Sequence, residues 1–470
     1  MASTFGGLST AYSGLVAARA GLDVAGQNIT NVNTQGYTRQ RLVTTSVEAP
    51  ARVGQYGTST VPGQGVQVDA IARIGDLALD GRVRSAGAAD GYQQVRATAL
   101  STLEGTLGEP RATGLSAQLT GFWSAWQDVA NHPAEASSAS VLIARGSAVA
   151  GSLAAGSLAI DEQWTSLRDQ VDGQAAELNQ AAADVAALNE RIRSGLQQGV
   201  SVNELVDRRA SLTEKIAGLA GGTVAERPDG TVDVLVGGNA LVRGDVARSV
   251  SVVGGRTLGD AVALEWADRP GQAVGADGGR IAGALSVLAP AEGGRGGLLA
   301  EASASYDALA TQLASQVNAV HRTGSTSAGD SGLDFFSLEA GVPAARGLGV
   351  VPTDRTGVAA ARPDSGALDG SVADAIGKIG SGAGSPDRSW SAVVSGIGAS
   401  SAAARDQAEL TGLASTTAKS RQQSGAGVDL DEENIALLSH QHAYQGAARV
   451  MTAIDEMLDT LINGMGRVGR

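Results

Sequence analysis

The chain has no cysteine, which removes disulfides, thiolate nucleophiles and sulfur-ligated metals at once. Aromatic residues are scarce, 3% of 470, against 65 glycines. Packing must therefore rest on small side chains and close helix approach more than on bulky cores. Basic charge is in deficit: 35 Lys and Arg face 48 Asp and Glu, a net charge of −13 with pI about 4.8. That balance is unsuited to tracking nucleic-acid phosphates or to a polybasic hold on anionic lipid. No run reaches the roughly 18 consecutive apolar residues of a bilayer-spanning helix, so no membrane span is expected. No Lys or Arg precedes Arg19, and Gly6, Gly7, Ser9, Thr10 and Gly14 interrupt any apolar stretch. The expectation is a chain without a cleaved signal peptide.

The parts of an active site are also missing. The histidines are His132, His321, His440 and His442, with no HExxH pattern. His440 and His442 lie two apart, so on a helix they point away from each other and cannot share a metal. All four read as solvated or interface histidines. The stretch from Gly370 to Lys378 imitates a phosphate loop, but six residues separate Gly370 from Gly377, and Ile379 stands where Mg²⁺ would need Ser or Thr. It reads as a flexible loop. Asn28-Ile29-Thr30 spells a glycosylation sequon inside a helical pattern, where chance explains it. The run Asp429, Asp431, Glu432 and Glu433 suits the positive end of a helix dipole. No catalytic, cofactor-binding or metal-ligating residue is assigned, and no enzymatic activity is expected. A metal- or phosphate-dependent enzyme in 223–390 would need histidines and carboxylates converging on one pocket.

What the sequence does hold is pattern at its two ends. Leu8, Leu15, Leu22 and Ile29 recur every seven residues, with Ala11, Ala18, Ala25 and Val32 at the complementary positions of a heptad seam. Asn31, Asn33 and Gly36 then stop the helix. Asp429 with Glu432 opens a second helix as a capping box, and its seam runs Leu437, His440, Tyr444, Ala447, Met451, Ile454, Leu458 and Leu461. Gly7, Gly14 and Gly21 repeat at seven beside the first seam. Each costs a helix about 1 kcal/mol relative to Ala. The ends are therefore expected to be marginal alone and to order on assembly.

Between the ends the reading is mainly α with β insertions. Thr38 to Val47 and Gly65 to Ala70 alternate as strands. Helices follow at Asp76 to Leu107, at Leu115 to Val129, along the heptads from Trp164 to Ile192, and at Leu205 to Leu219. Val232, Val234 and Val236 after Pro228-Asp229-Gly230 read as a hairpin, and Val262, Leu264 and Trp266 as another strand. Helix returns at Leu298 to Val320 and near Trp390 to Ser420. This length favours two to four domains. The expected division is 1–36 with 428–470 as a terminal coiled-coil assembly domain, and 37–222 with 281–323 and 390–427 as a central helical bundle. A small outer β domain takes 223–280, and 324–389 is a Gly-rich insertion or small subdomain.

The residues from Ser13 through Val24, then Gln27-Asn28-Ile29-Thr30-Asn31-Val32-Asn33-Thr34-Gln35-Gly36-Tyr37, resemble the N-terminal signature of the flagellar axial proteins of rod, hook and hook-associated structures. Asn28, Asn31, Asn33, Gly36 and Tyr37 carry that signature. Gly36-Tyr37-Thr38-Arg39-Gln40 resembles the hook-associated branch, where rod and hook proteins read Gly-Phe. The C-terminal run from Gly427 to Asn463 is similar as well, and weaker likeness extends through Leu115 to Pro133, Asn203 to Leu219 and Asn318 to Arg322. His440 and His442 depart from it, standing where the family has Gln or Tyr.

The resemblance implies an elongated, multi-domain structural adapter that polymerises as a ring between hook and filament, outside the cell. It implies passage through the flagellar type III export channel. The implied partners are copies of itself, the hook protein, hook-associated protein 3, and a cytoplasmic export chaperone on the C-terminal region.

Overall fold

The computed structural model describes residues 4–34, 36–48, 63–366 and 368–464, leaving out the side chains of 4, 5, 461 and 463. The chain opens with helix α1 (Thr4–Thr30) and turns at Gly36, whose φ of 81° is the left-handed conformation glycine adopts freely. Strands β1 (Gln40–Ser46) and β2 (Val66–Arg73) then pair antiparallel and lie on α1. Asp76 caps the next helix, α2 (Leu77–Leu107), by accepting from the Ala78 and Leu79 amides, and Gly108 closes it at φ 64°.

Helix α3 (Leu115–Asn131) leads to α4 (Ala136–Gln197), whose 62 residues span about 90 Å. Helix α5 (Asn203–Ala220) turns back along it. Seven short strands follow. β3 (Thr223–Glu226), β4 (Val232–Val236), β5 (Asn239–Arg243) and β6 (Val246–Ala247) form an antiparallel meander. β7 (Val250–Gly254), β8 (Val262–Trp266) and β9 (Arg269–Ala273) form a second sheet. Helices α6 (Gly279–Leu288) and α7 (Leu298–His321) return to the body. A compact run of β10 (Phe336–Leu338), α8 (Ala344–Gly347), β11 (Leu348–Val350) and α9 (Ser371–Gly377) precedes α10 (Pro386–Ala426). Ser385 caps α10 with Pro386 in its first turn, and α11 (Leu430–Gly464) ends the description.

One continuous core runs along the body. Trp164, Val171, Leu178 and Val185 on α4 share it with Leu219, Val234, Trp266, Ile281 and Leu313. Small residues set the spacing, as expected. At Gly156 a Cβ would lie 2.4 Å from the Tyr306 ring, which stacks edge-on against Trp390. Of the few aromatics, Trp164 and Trp266 stand along the core, and Tyr306 pairs with Trp390. Phe122, Trp123, Trp126, Phe335 and Phe336 meet in one cluster at the α3 end, with centroid spacings of 4.9–6.3 Å.

The sheets are fastened to α4 by two asparagines. Asn189, fully buried, donates to the Val232 and Gly244 carbonyls and accepts from the Val232 amide and Arg209. Asn179 exchanges a pair of bonds with Val250 in the same way. The β segment therefore flanks the half of α4 nearer the chain ends and shares the body's core. Residues 324–385 close the opposite end, with Phe335 and Val350 packed at Gly146 and Arg355 donating to the Ala134 carbonyl.

Three expectations change. His321 is neither solvated nor at an interface. It is fully buried, with Nδ1 2.7 Å from the Leu333 carbonyl and Nε2 accepting from the Ala359 amide at 2.9 Å. The stretch around Gly370 is no flexible loop, because 371–377 forms α9 against α3, and a Cβ at Gly370 would overlap the Ala130 carbonyl. Helix α4 begins well before Trp164, since its first half uses Ala, Gly and Ser that carry little periodic contrast. By length and composition α4 also holds a window apolar enough to cross a membrane. On that stretch Leu142, Val149, Leu153 and Ile160 are wholly buried in the core, while Val141 and Leu158 are exposed.

Candidate assembly interface

Helices α1 and α11 run antiparallel, and the glycine line fixes their register. A Cβ at Gly7 would meet Ile454 at 3.3 Å, one at Gly14 would meet Ala447 at 3.9 Å, and one at Gly21 would fall 2.5 Å from the His440 ring. Each step of seven along α1 is a step of seven back along α11. The next pair continues the series with different chemistry: Asn28 Nδ2 donates to Glu433 Oε2 at 3.0 Å. A seam of small and apolar residues thus ends, in phase, on a buried polar contact.

The seam residues are covered unequally. Ala11, Ala18 and Ala25 are buried, while Leu8, Leu15, Leu22 and Ile29 are half-buried. On α11, Ile454 is buried and Leu437, His440, Ala447, Met451 and Leu458 are half-buried. Tyr444 is exposed, and the side chain of Leu461 lies outside the described residues. His442 points to solvent, and His440 lies over Gly21. Further apolar side chains stand free on the flanks, among them Tyr12, Val16, Ile435, Leu438, Val450 and Met457. A second covered face of α1 carried no heptad signal. Ala17 and Val24 are buried on the side where Ser13 accepts from the Val66 amide, so β2 lies there.

At the base of the pair, Asn28 and Tyr37 build a joint. Asn28 is 1% exposed and uses every polar valence. Its amide donates to the Gln40 carbonyl at 2.9 Å and to Glu433, and its oxygen accepts from the Gln40 amide at 3.0 Å and from Tyr37 Oη at 2.8 Å. Burial first, then Asp207, Glu204 and Glu433, push the Tyr37 phenol up to about 12, so it stays a donor. An amide so engaged leaves no room for a glycan on the Asn28 sequon. Asn31 bonds locally, with Nδ2 to the Gln27 carbonyl and Oδ1 from Thr34, and so ends α1. Asn33 and Gly36 are exposed.

From this point the joint spreads to the body. Arg39 pairs with Glu432 and, at 2.6 Å, with Glu433. Burial works against the Arg39 charge, but the two carboxylates outweigh it and its pKa is raised. Asp207 on α5 accepts from the Thr38 amide and from Arg73 Nε. Asn203 donates to Gln40 Oε1 and to the Ile71 carbonyl, and Gln422 donates to Asp80 and Glu214. The acidic run at 429–433 is therefore more than a helix-dipole feature. Asp429 does cap α11 through the Asp431 and Glu432 amides, yet Glu433 is 3% exposed and belongs to the joint. Sequence reasoning missed Glu433, Arg39 and Asp207, whose partners lie far away along the chain. Among the described residues no three potential metal ligands converge.

The arrangement defines a class: an elongated, mainly helical protein whose chain ends pair at one tip and lock to the body through a polar joint. A family model described as the flagellar hook-associated protein FlgK helical domain matches residues 100–336, and one for the C-terminal part of the flagellar basal body rod proteins FlgEFG matches 421–464. Flagellar hook-associated protein 1 of Bacillus subtilis (strain 168) is 30% identical over the whole of both chains. That of Salmonella typhimurium (strain LT2) is 26% identical over 70% of this chain and 59% of its own. The flagellar hook junction protein FlgK from Burkholderia pseudomallei superposes with a TM-score of 0.64 over 73% of this chain and all of that chain. At 15% identity this last likeness concerns the fold. The chain belongs to the flagellar hook-associated protein 1 family.

Proposed function

We propose that the protein is a structural adapter that polymerises as a ring between flagellar hook and filament, using its paired termini as the assembly element. The observation that carries this reading is the half-covered α1–α11 seam, flanked by free apolar side chains and held to the body by a polar joint. One pair of helices cannot cover all of that surface, and copies side by side can. Hook protein on one side and hook-associated protein 3 on the other would be its neighbours. Family membership also points to type III export with a chaperone on the C-terminal region, and to a place outside the cell. The role needs no chemical step.

The test is the double substitution Ile435→Asp/Leu438→Asp, on side chains 69% and 53% exposed. The soluble chain should keep its helix content and melting temperature, because neither residue is spent on the fold. Hooks should then lack filaments and the ring between them, as seen by electron microscopy. Normal filaments on cells carrying this variant would refute polymerisation through the terminal pair.

A further inference from the structure

We propose that the groove between α2 and α10 receives the outer end of α11 from a second copy of this chain. This rests on the ring-forming role proposed above and names one contact within it. The groove is formed by Leu79 and Arg82 on α2 and by Leu410, Leu413 and Arg421 on α10, with no acidic residue in its lining. Leu410 and Leu413 are 62% and 65% exposed, among the freest large apolar side chains of the body. Arg82 and Arg421 form no ion pair among the described residues, in a chain of net charge −13. The groove holds about 380 Å³. Roughly 150 Å³ accommodates a benzene ring, so two side chains could enter.

The groove's lining calls for an occupant that is apolar and acidic. Residues 450–460 of α11 fit: Val450 and Met457 lie seven apart on one exposed flank, Glu456 is the next position round the helix from Met457, and the stretch has no basic residue. Two grooves facing each other would set arginine against arginine. The 49–62 connection has Arg52 and no carboxylate. The chain's own α11 cannot return, because Met457 lies about 40 Å along the helix from its start at Leu430. Helix α11 also packs chiefly on α1, which leaves its outer flank free.

The absence of native cysteine makes the test clean. Cells producing both Leu413→Cys and Met457→Cys chains should yield, on mild oxidation of isolated hook–filament junctions, a disulfide-linked dimer of one chain of each kind. The Arg82→Glu/Arg421→Glu pair placed in the Leu413→Cys chain should abolish that dimer, and Glu456→Lys in the partner should restore it. Three results would overturn the proposal: an internally linked monomer from the doubly substituted chain, only 413–413 dimers, or normal junctions without a 413–457 link. The last of these would leave the ring-forming role intact, whereas chains that never join a junction would defeat that role first.

Discussion

Identical glycine-to-alanine changes a few residues apart in α1 should have opposite signs. At Gly26 nothing lies within 4 Å of an added Cβ, so alanine gains its helix propensity, about 1 kcal/mol, without a clash. At Gly21 the same methyl would fall 2.5 Å from His440 Cε1 and Nδ1, and 2.7 Å from Cγ. Contact with Cγ means that the base of the ring is in the way, so rotation about its outer bonds gives no full relief. Overpacking of that kind costs about 1–3 kcal/mol. Net of propensity, Gly21→Ala should cost up to about 2 kcal/mol where Gly26→Ala gains about 1. Gly14→Ala, meeting Ala447 at an ordinary 3.9 Å, should behave like Gly26→Ala. The assay is the stability of the terminal pair in the full chain, followed by helix signal in denaturant and by protease resistance near 34–39. His440→Ala should rescue Gly21→Ala but add little to Gly26→Ala. Stabilisation by Gly21→Ala, or no rescue, would refute the register.

At the joint, Asn28→Ala leaves Tyr37, Gln40 and Glu433 each short of a partner, at about 1–3 kcal/mol per buried group, while Tyr37→Phe removes one bond worth about 1 kcal/mol. Thermal unfolding should rank the two variants in that order. His321 gives a pH dependence: burial lowers its pKa, so the unfolded chain takes up the proton first. Stability should be full above about pH 6.5, fall below it toward the depressed folded pKa, and lose that part of its slope in His321→Gln, measured by denaturant melts at pH 5 and 7. One alanine inserted after Leu22 should turn the outer part of α1 by about 100° and uncouple it from α11. Duplicating residues 16–22 keeps the phase and should preserve helix content; equal damage from both insertions would count against a phase-locked pair.

What could be read from the sequence follows from how each feature repeats. The seam from Leu8 to Ile29 and its counterpart from Leu437 to Leu458 were visible because a heptad writes itself many times over. The glycine line was visible for the same reason, although only the structure shows it facing Ile454, Ala447 and His440. The joint was not legible. Arg39 and Glu433 lie 394 positions apart, and Arg73 and Asp207 lie 134 apart, with nothing periodic to link them. Glu433 had a sufficient local explanation in the helix dipole, which hid its burial. His321 was misjudged because a histidine fixed by two backbone groups looks no different in sequence from one in water.

The placement of side-chain sizes across the terminal pair bears on when it gains its stability. The line of closest approach is filled by Gly7, Gly14, Gly21, Ala11, Ala18 and Ala25, residues that bring two backbones together but bury little apolar area of their own. The larger residues, from Leu8 and Leu15 to Leu438 and Met457, sit on the shoulders, half-covered or free. Fully burying one such side chain is worth about 1.5–3 kcal/mol, and at Tyr12, Ile435, Leu438, Val450 and Met457, each half exposed or more, about half of it is unrealised within a single chain. A neighbour that covered those shoulders would thus add to what the partner helix contributes. The buried joint at Asn28 and Glu433 meanwhile sets the direction in which the pair leaves the body before any neighbour arrives. Weak closure along the seam and firm closure at its base then act together: the base presents the shoulders, and association completes the helices.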